Sequence, residues 1–416
     1  MLKTILSVAS LLLSYGLLLL ANGMLGTLLG LRGKLEGFST EIIGLIMAGY
    51  SLGLLIGAIR AVSVVASVGH IRAFAAFASI MSVAVLAHVL WIDPVFWFVL
   101  RTIAGFCLAG MILVTESWIN ERATNKTRGS ILSLYMITNY LGAGIGQLMI
   151  TIADPAKFEL FAIASIIFSI ALVPILLTRA KAPTPSTPER MEFRELFRIS
   201  PVGVTGTVIA AIISSSFNAM GPIFAKDIGM TVENVSLFMA SVVLGGMLLQ
   251  IPVGRISDRF DRRTVLVFSC IGTIIGGIGI ILTSESGTVS YIFMCAGLYG
   301  GFCYTIYPVA SAQIHDLADP EKRVQVASSL LIAFGVGAII GPIISSQLMG
   351  RVGPNGIFIL TASFAALLIL FTLYRMIRRK PTEKEKASFI PRGVFGFSGK
   401  QVARFWAENA KKKSGN

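Results

Sequence analysis

About a dozen apolar stretches, each close to 20 residues long, follow one another along this chain, separated by short polar segments. As an α-helix, a stretch of that length covers roughly 30 Å, the hydrocarbon thickness of a bilayer. Ile5 to Leu20, Tyr50 to Ala66, Phe96 to Val114 and Ile131 to Ile150 each belong to one. The expected spans lie near 4–24, 42–66, 73–91, 96–118, 130–152 and 158–178, then 202–224, 234–253, 264–283, 289–312, 325–348 and 355–377. The chain is therefore expected to be an all-α integral membrane protein with twelve transmembrane helices. An even number of crossings places both termini on one side.

Charge placement decides between partners. The formal charge of +14 raises the question of nucleic acid, yet only 13% of residues are charged, against about 25% in a soluble domain. The basic residues sit between apolar runs and in the C-terminal tail rather than along one face, so no nucleic-acid partner is expected. With twelve spans, 16 Lys and Arg fall in loops on the side of the termini, five on the opposite side, and 12 in the tail from Arg375 onward. This bias places both termini in the cytoplasm. The N-terminal apolar run continues to Asn22-Gly23 without a small-residue cleavage pattern, so it reads as a first span and not a signal peptide.

The chain divides into 1–180, a linker at 181–200, 201–377 and a basic tail at 378–416. The linker carries Pro183, Pro185 and Pro188 before a charged stretch, and Met191 to Arg198 within it fits a short amphipathic helix on the membrane surface. The two large segments repeat one another. Gly105-Phe-Cys107 recurs as Gly301-Phe-Cys303, Arg128 as Arg323, and Gly142 with Gly146 as Gly337 with Gly341, at offsets of 195 or 196 residues. Matches in register across equivalent spans indicate a duplicated six-helix unit.

Between expected spans 8 and 9 stands Gly254-Arg-Ile-Ser-Asp258-Arg259-Phe-Asp-Arg262-Arg263. Glycine lets one helix end approach another. Asp258 is placed to accept from helix-end amides, and the arginines to pair with acids or lipid phosphates. This loop resembles the G-x-x-x-D-R-x-x-R-R signature of the major facilitator superfamily. The family's first copy, after span 2, is degraded here: Val62, Ala66 and Ser67 stand where Gly, Asp and Arg belong, and Gly69, His70 and Arg72 remain. Arg101-x-x-x-Gly105 resembles the family's span-4 arginine motif, and Glu116 with Arg128-Gly129 its charge network at spans 4 and 5. Glu116-Ser-Trp-Ile-Asn120, Tyr135-Met136 and Gly146-Gln147-Leu148 resemble small, poorly characterised bacterial members. The drug/proton antiporters of the family carry a span-5 pattern with proline where this chain has Gln147, which weakens an exporter reading.

Charged groups at membrane depth are costly and mark function. Arg60, Arg101 and Glu116 are the three expected within spans, and the similar depth of Arg60 and Glu116 predicts an ion pair within about 4 Å. The resemblance makes Arg101 and Glu116 coupling candidates, and makes Arg60, Glu116, Arg128, Gly254, Asp258, Arg259, Arg262 and Arg263 a gating network. It also implies that spans 1, 4, 7 and 10 line a central cavity between two six-helix bundles, which makes Asn22, Asn218, Ser214, Ser215, Tyr299, Tyr304, Tyr307 and Gln313 candidates for solute contact, with Asn139 and Gln147 in span 5 behind them.

The four cysteines lie inside apolar segments at spacings fitting neither metal nor disulfide, and His70, His88 and His315 lack partners at metal spacing, so no metal, cofactor or catalytic residue is expected. His70 and His315 are expected in cytoplasmic loops. No phosphate-binding nucleotide loop is present. The implied function is secondary active transport of a small organic solute by alternating access, driven by a proton gradient, in a monomer of the bacterial inner membrane. An exporter of amphiphilic drugs or lipids, and a sensor built on a transporter fold, are the alternatives. A membrane enzyme is disfavoured because no acid or histidine cluster lies at membrane depth. The tail's aromatic and basic residues, Phe395, Phe397, Phe405 and Trp406 among Lys400, Arg404 and Lys411 to Lys413, suit contact with anionic headgroups.

Overall fold

Helix follows helix because each apolar stretch must satisfy its own backbone hydrogen bonds, and caps mark where several begin. The computed structural model describes residues 2–122, 128–177, 191–286 and 289–378. The tail, most of the linker and residues 123–127 therefore lie outside the described residues. The helices are α1 (Leu2–Leu35), α2 (Thr40–Val68), α3 (His70–Leu90), α4 (Pro94–Arg122), α5 (Arg128–Leu148), α6 (Glu159–Ile170) and α7 (Val173–Leu176), then α8 (Phe193–Ile199), α9 (Pro201–Asp227), α10 (Val232–Arg259), α11 (Arg262–Ser286), α12 (Val289–Leu317), α13 (Arg323–Val352) and α14 (Gly356–Arg378). The Ser39 hydroxyl caps α2 by accepting from the Ile42 amide at 3.3 Å. Asp93 caps α4 by accepting from the Phe96 amide at 2.8 Å, with Pro94 as the first helical residue. Gly69 turns the chain between α2 and α3 at φ 87°, a conformation that favours glycine.

Ten of these helices, and α6 with α7 taken together, are long and apolar enough to cross a membrane. The fifth expected span, α5, falls outside that set because Tyr135, Asn139, Tyr140 and Gln147 lower its hydropathy. The sixth expected span is broken between α6 and α7, where Pro174 has no amide to give the Ile170 carbonyl. Elsewhere helices outrun the apolar stretches. α1 continues to Leu35 and closes on Arg32 and Lys34, whose charges suit a helix C-terminus.

The extended helices correct two expectations. His70 is the buried first residue of α3, stacked on Trp118, and His315 is fully buried within α12. Neither lies in a loop.

The described residues of Met1–Thr187 with Asn218–Ala240 form one compact unit, and those of Pro188–Phe217 with Ser241–Arg392 form a second. In the first, α2 packs on α4, α1 on α5, and α3 on α4 and α6. In the second, α11 packs on α12 and α14 as α3 does on α4 and α6. The repeated glycines mark equivalent close approaches. A Cβ on Gly142 would stand 2.8 Å from the Gly16 carbonyl oxygen, and one on Gly146 2.2 Å from that of Leu20. A Cβ on Gly337 would stand 2.4 Å from the Val208 oxygen, and one on Gly341 2.5 Å from that of Ile212. The α1–α5 and α9–α13 interfaces are thus built on the same two-glycine step.

Candidate functional site

Arg101 sits where it does because of the glycine one turn further along α4. A Cβ on Gly105 would lie 2.1 Å from the Tyr50 carbonyl oxygen, and one on Gly53 1.9 Å from that of Thr102. With hydrogen in place of these side chains, the backbones of α2 and α4 touch. The Arg101 guanidinium then lies 4.2 Å from the centre of the Tyr50 ring, an arrangement that stabilises a cation by the ring's quadrupole. The Tyr50 hydroxyl donates to Asn22 Oδ1 on α1 at 3.0 Å.

Arg101 is only 3% exposed, and its Nε and Nη1 have no hydrogen-bond partner. A buried cation with open donors is costly unless something supplies acceptors. Beside this group stands His88 of α3, itself fully buried. Its Nδ1 is 2.7 Å from the Ala84 carbonyl oxygen, its ring meets Trp97 edge to face, and its Nε2 is unpartnered. Asn22, Tyr50, His88 and Arg101 thus come from four successive helices of one unit. Asn22 and Arg101 are candidates on sequence alone. The Tyr50 role was hidden because nothing in a lone span shows which ring lies under a neighbour's cation.

A second polar cluster joins α1, α4 and α5. The Tyr135 hydroxyl donates to Glu116 Oε1 at 2.7 Å, Tyr135 stacks on Tyr15 at 4.5 Å, and Asn139 Nδ2 donates to the Tyr15 hydroxyl at 2.5 Å. Gln147 is buried, and its Oε1 accepts from the Thr27 hydroxyl at 2.5 Å. The residue that replaces the antiporter proline therefore ties α5 to α1.

Arg60 does not join this cluster. It is exposed, and among the described residues it forms no ion pair with Glu116. Ala61, fully buried, continues the Gly49-Gly53-Gly57 stripe facing α4, which turns Arg60 aside. Arg128 opens α5, but its side chain lies outside the described residues.

In the second unit the basic loop closes on itself. Arg262, 1% exposed, donates from Nε to Asp316 Oδ2 at 2.5 Å and from Nη1 to the Ser257 hydroxyl at 3.0 Å, and lies 3.3 Å from Asp258 Oδ1. Arg263 pairs with Asp261 at 2.8 Å. Gly254 is buried and Arg259 exposed. Asp316 on α12 was missed because the apolar stretch ends before the helix does. In the sequence nothing sets it apart from Asp319 and Glu321 in the same segment.

The remaining candidates differ in accessibility. Tyr299 is fully buried between Phe217 and Phe358, a core position. Ser214 bonds back to the Ala210 carbonyl at 2.7 Å and Ser215 to that of Ile212 at 3.4 Å. Tyr304 and Tyr307 are buried, Tyr307 edge-on to Phe334, while Asn218 and Gln313 are half-buried.

Comparison with known proteins gives a consistent result. The sequence profile of the Major Facilitator Superfamily matches residues 11–204 and again 203–410. An uncharacterised MFS-type transporter of Yersinia enterocolitica is 27% identical over 345 residues, 82% of this chain and 87% of its own length. The uncharacterised MFS-type transporter YcaD of Escherichia coli is 27% identical over 340 residues, 81% and 87% of the two chains. Among solved structures, the nucleoside transporter NupG superposes with a TM-score of 0.73 at 14% identity, over 90% of this chain and 100% of that one. A bacterial homologue of the human lysosomal transporter Spinster, inward-facing and occupied, gives 0.70 at 15% identity, over 92% and 98%. At these identities the two structures speak for the fold alone.

Proposed function

The chain belongs to the major facilitator superfamily of membrane transporters, and from that premise we propose that it moves a small organic solute carrying an anionic group, by alternating access. The observation that carries the choice of solute is Arg101. A guanidinium buried at membrane depth with two donor nitrogens unpartnered is poised for a carboxylate or phosphate oxygen, which would supply both charge and acceptors. Tyr50 holds the cation from below, and Asn22 and the His88 Nε2 add neutral polar contacts for the rest of a zwitterionic or weakly anionic molecule. Ser214, Ser215, Asn218, Tyr304, Tyr307 and Gln313 are proposed as further solute contacts. Support for a drug exporter is weaker, because Gln147 bonds to Thr27 where the antiporters have a proline.

The coupling ion in this reading is the proton, with Glu116 as its carrier. Glu116 is a carboxylate 5% exposed within α4 that accepts from Tyr135. The basic loop from Gly254 to Arg263, with Asp316, acts as the gating network. The protein sits as a monomer in the bacterial inner membrane with both termini in the cytoplasm, a topology that the 16-to-five distribution of loop Lys and Arg favours. No enzymatic role, metal or cofactor is part of this reading.

Proteoliposomes test it. Organic anions and zwitterions should accumulate when a pH gradient is imposed, and Glu116→Gln should keep exchange of solute for solute while abolishing accumulation. Accumulation unaffected by Glu116→Gln would remove the proposed proton carrier. A substrate set confined to lipophilic cations would return the exporter reading.

A further inference from the structure

The seven residues of α8 are held against the second unit from one side and carry two unlike surfaces on the others. The inward side is Leu196, fully buried with Met191 in an apolar cluster with Val204, Ile314, Ala318, Val326 and Leu330. The Ser329 hydroxyl fastens the strand before α8: it accepts from the Met191 amide at 3.0 Å and donates to the Met191 carbonyl at 3.0 Å. Glu195 reaches Lys322 at 2.7 Å, which holds the Lys322 ammonium above its ordinary range.

Successive helical residues turn by about 100°, so three sectors follow from the position of Leu196. Phe193 and Phe197 share the flank on one side, stacked with centroids 6.4 Å apart and 60% and 40% exposed. Arg194 and Arg198, also four residues apart and exposed, share the next sector, away from the bundle. Glu195 occupies the opposite flank. Only Ser200 separates α8 from α9, a membrane-spanning helix that begins at Pro201. At 1.5 Å per residue, the whole of α8 lies within about 15 Å of that entry point. In a membrane, a helix this close to the start of a span stands at the height of the headgroups.

We propose that α8 is a docking surface for anionic phospholipid, with Phe193 and Phe197 at the acyl boundary and Arg194 and Arg198 on the phosphates. Aromatic side chains favour that boundary, and arginines beside them reach phosphate with paired donors. Two cations in one sector, with the sole acid of α8 on the far flank and already paired, select for negative headgroups. The proposal rests on the chain spanning a membrane and not on what it transports, so loss of either idea leaves the other standing.

The test uses the full-length protein with the photoreactive p-benzoylphenylalanine at position 193, in nanodiscs of phosphatidylcholine alone or with a minority of phosphatidylglycerol. Mass spectrometry after illumination identifies what is attached. The expected result is a lipid adduct in both membranes, with phosphatidylglycerol captured several-fold above its share of the bilayer. R194Q/R198Q should bring that capture down to its share, while R194K/R198K keeps most of it. Absence of any lipid adduct, attachment to the protein's own C-terminal tail, or capture of phosphatidylglycerol at its bulk share would each overturn the proposal.

Discussion

Arg262 on α11 and Asp316 on α12 form a bond of 2.5 Å that closes the basic loop of the second unit from below. The guanidinium is 1% exposed and the carboxylate 11%. Removing Asp316 leaves the buried guanidinium with the more exposed Asp258 and the Ser257 hydroxyl, a loss of up to about 3–5 kcal/mol by the measure of buried pairs broken on one side. Asp316→Ala should therefore lower the melting temperature of the purified protein far more than Asp258→Ala. Asp258 is 37% exposed and 3.3 Å from the same arginine, where about 1 kcal/mol or less is expected. Equal shifts would mean that Asp258 holds the arginine as firmly.

The two-glycine steps make an independent prediction about packing. Gly146→Ala and Gly341→Ala each force a methyl onto backbone or hydroxyl oxygen of the facing helix, and each should cost about 1–3 kcal/mol. Gly26→Ala on α1 meets nothing within 4 Å and removes a flexible residue from a helix, so it should be neutral or stabilising by about 0.5–1 kcal/mol. Thermal melts of the three variants in one detergent decide this, and a destabilised Gly26→Ala would contradict it.

Double-mutant cycles separate the partner Glu116 has from the one it was expected to have. Arg60 and Glu116 should behave additively within about 0.5 kcal/mol. Tyr135→Phe with Glu116→Gln should show coupling of about 1–3 kcal/mol, since a phenol and a carboxylate share a buried bond of 2.7 Å. Coupling at Arg60 and none at Tyr135 would reverse the assignment.

Ser329→Ala should loosen the strap without touching α8 itself. It removes a bond at each side of Met191, and hydrogen exchange across residues 191–199 should rise by an amount equivalent to about 1–2 kcal/mol. Lys322→Ala breaks only an exposed pair and should leave that exchange nearly unchanged.

What could be read from the sequence was depth along the membrane normal and repetition along the chain. Apolar length gave the spans, and the glycines at an offset of 195 residues pointed to interfaces that the structure builds twice. What could not be read was rotation about each helix axis. Counting along each span puts Arg60 and Glu116 at one expected depth, but whether they face one another depends on which stripe of α2 meets α4, and three glycines fix that stripe with Ala61 and not Arg60. Helix ends were the second gap. Hydropathy stops where the hydrocarbon does, while α3 and α12 continue through His70, His315 and Asp316 because polar residues still complete backbone hydrogen bonds outside it. The low hydropathy of α5 has the same root as its role in the fold: three of the polar side chains that make it a poor span alone, Tyr135, Asn139 and Gln147, meet α1.

The central claim is that Arg101 is kept buried and open for a solute's anionic group. The most direct measurement is the melting temperature of purified wild type and Arg101→Gln, with and without a library of organic anions, zwitterions and lipophilic cations. A ligand bound to the folded state raises that temperature by mass action. The account predicts that Arg101→Gln is more stable than wild type without ligand, because a buried cation with open donors has been removed, and that compounds bearing a carboxylate or phosphate stabilise wild type alone. Stabilisation by the same anionic compounds at the same strength in Arg101→Gln, or hits confined to lipophilic cations, would contradict it.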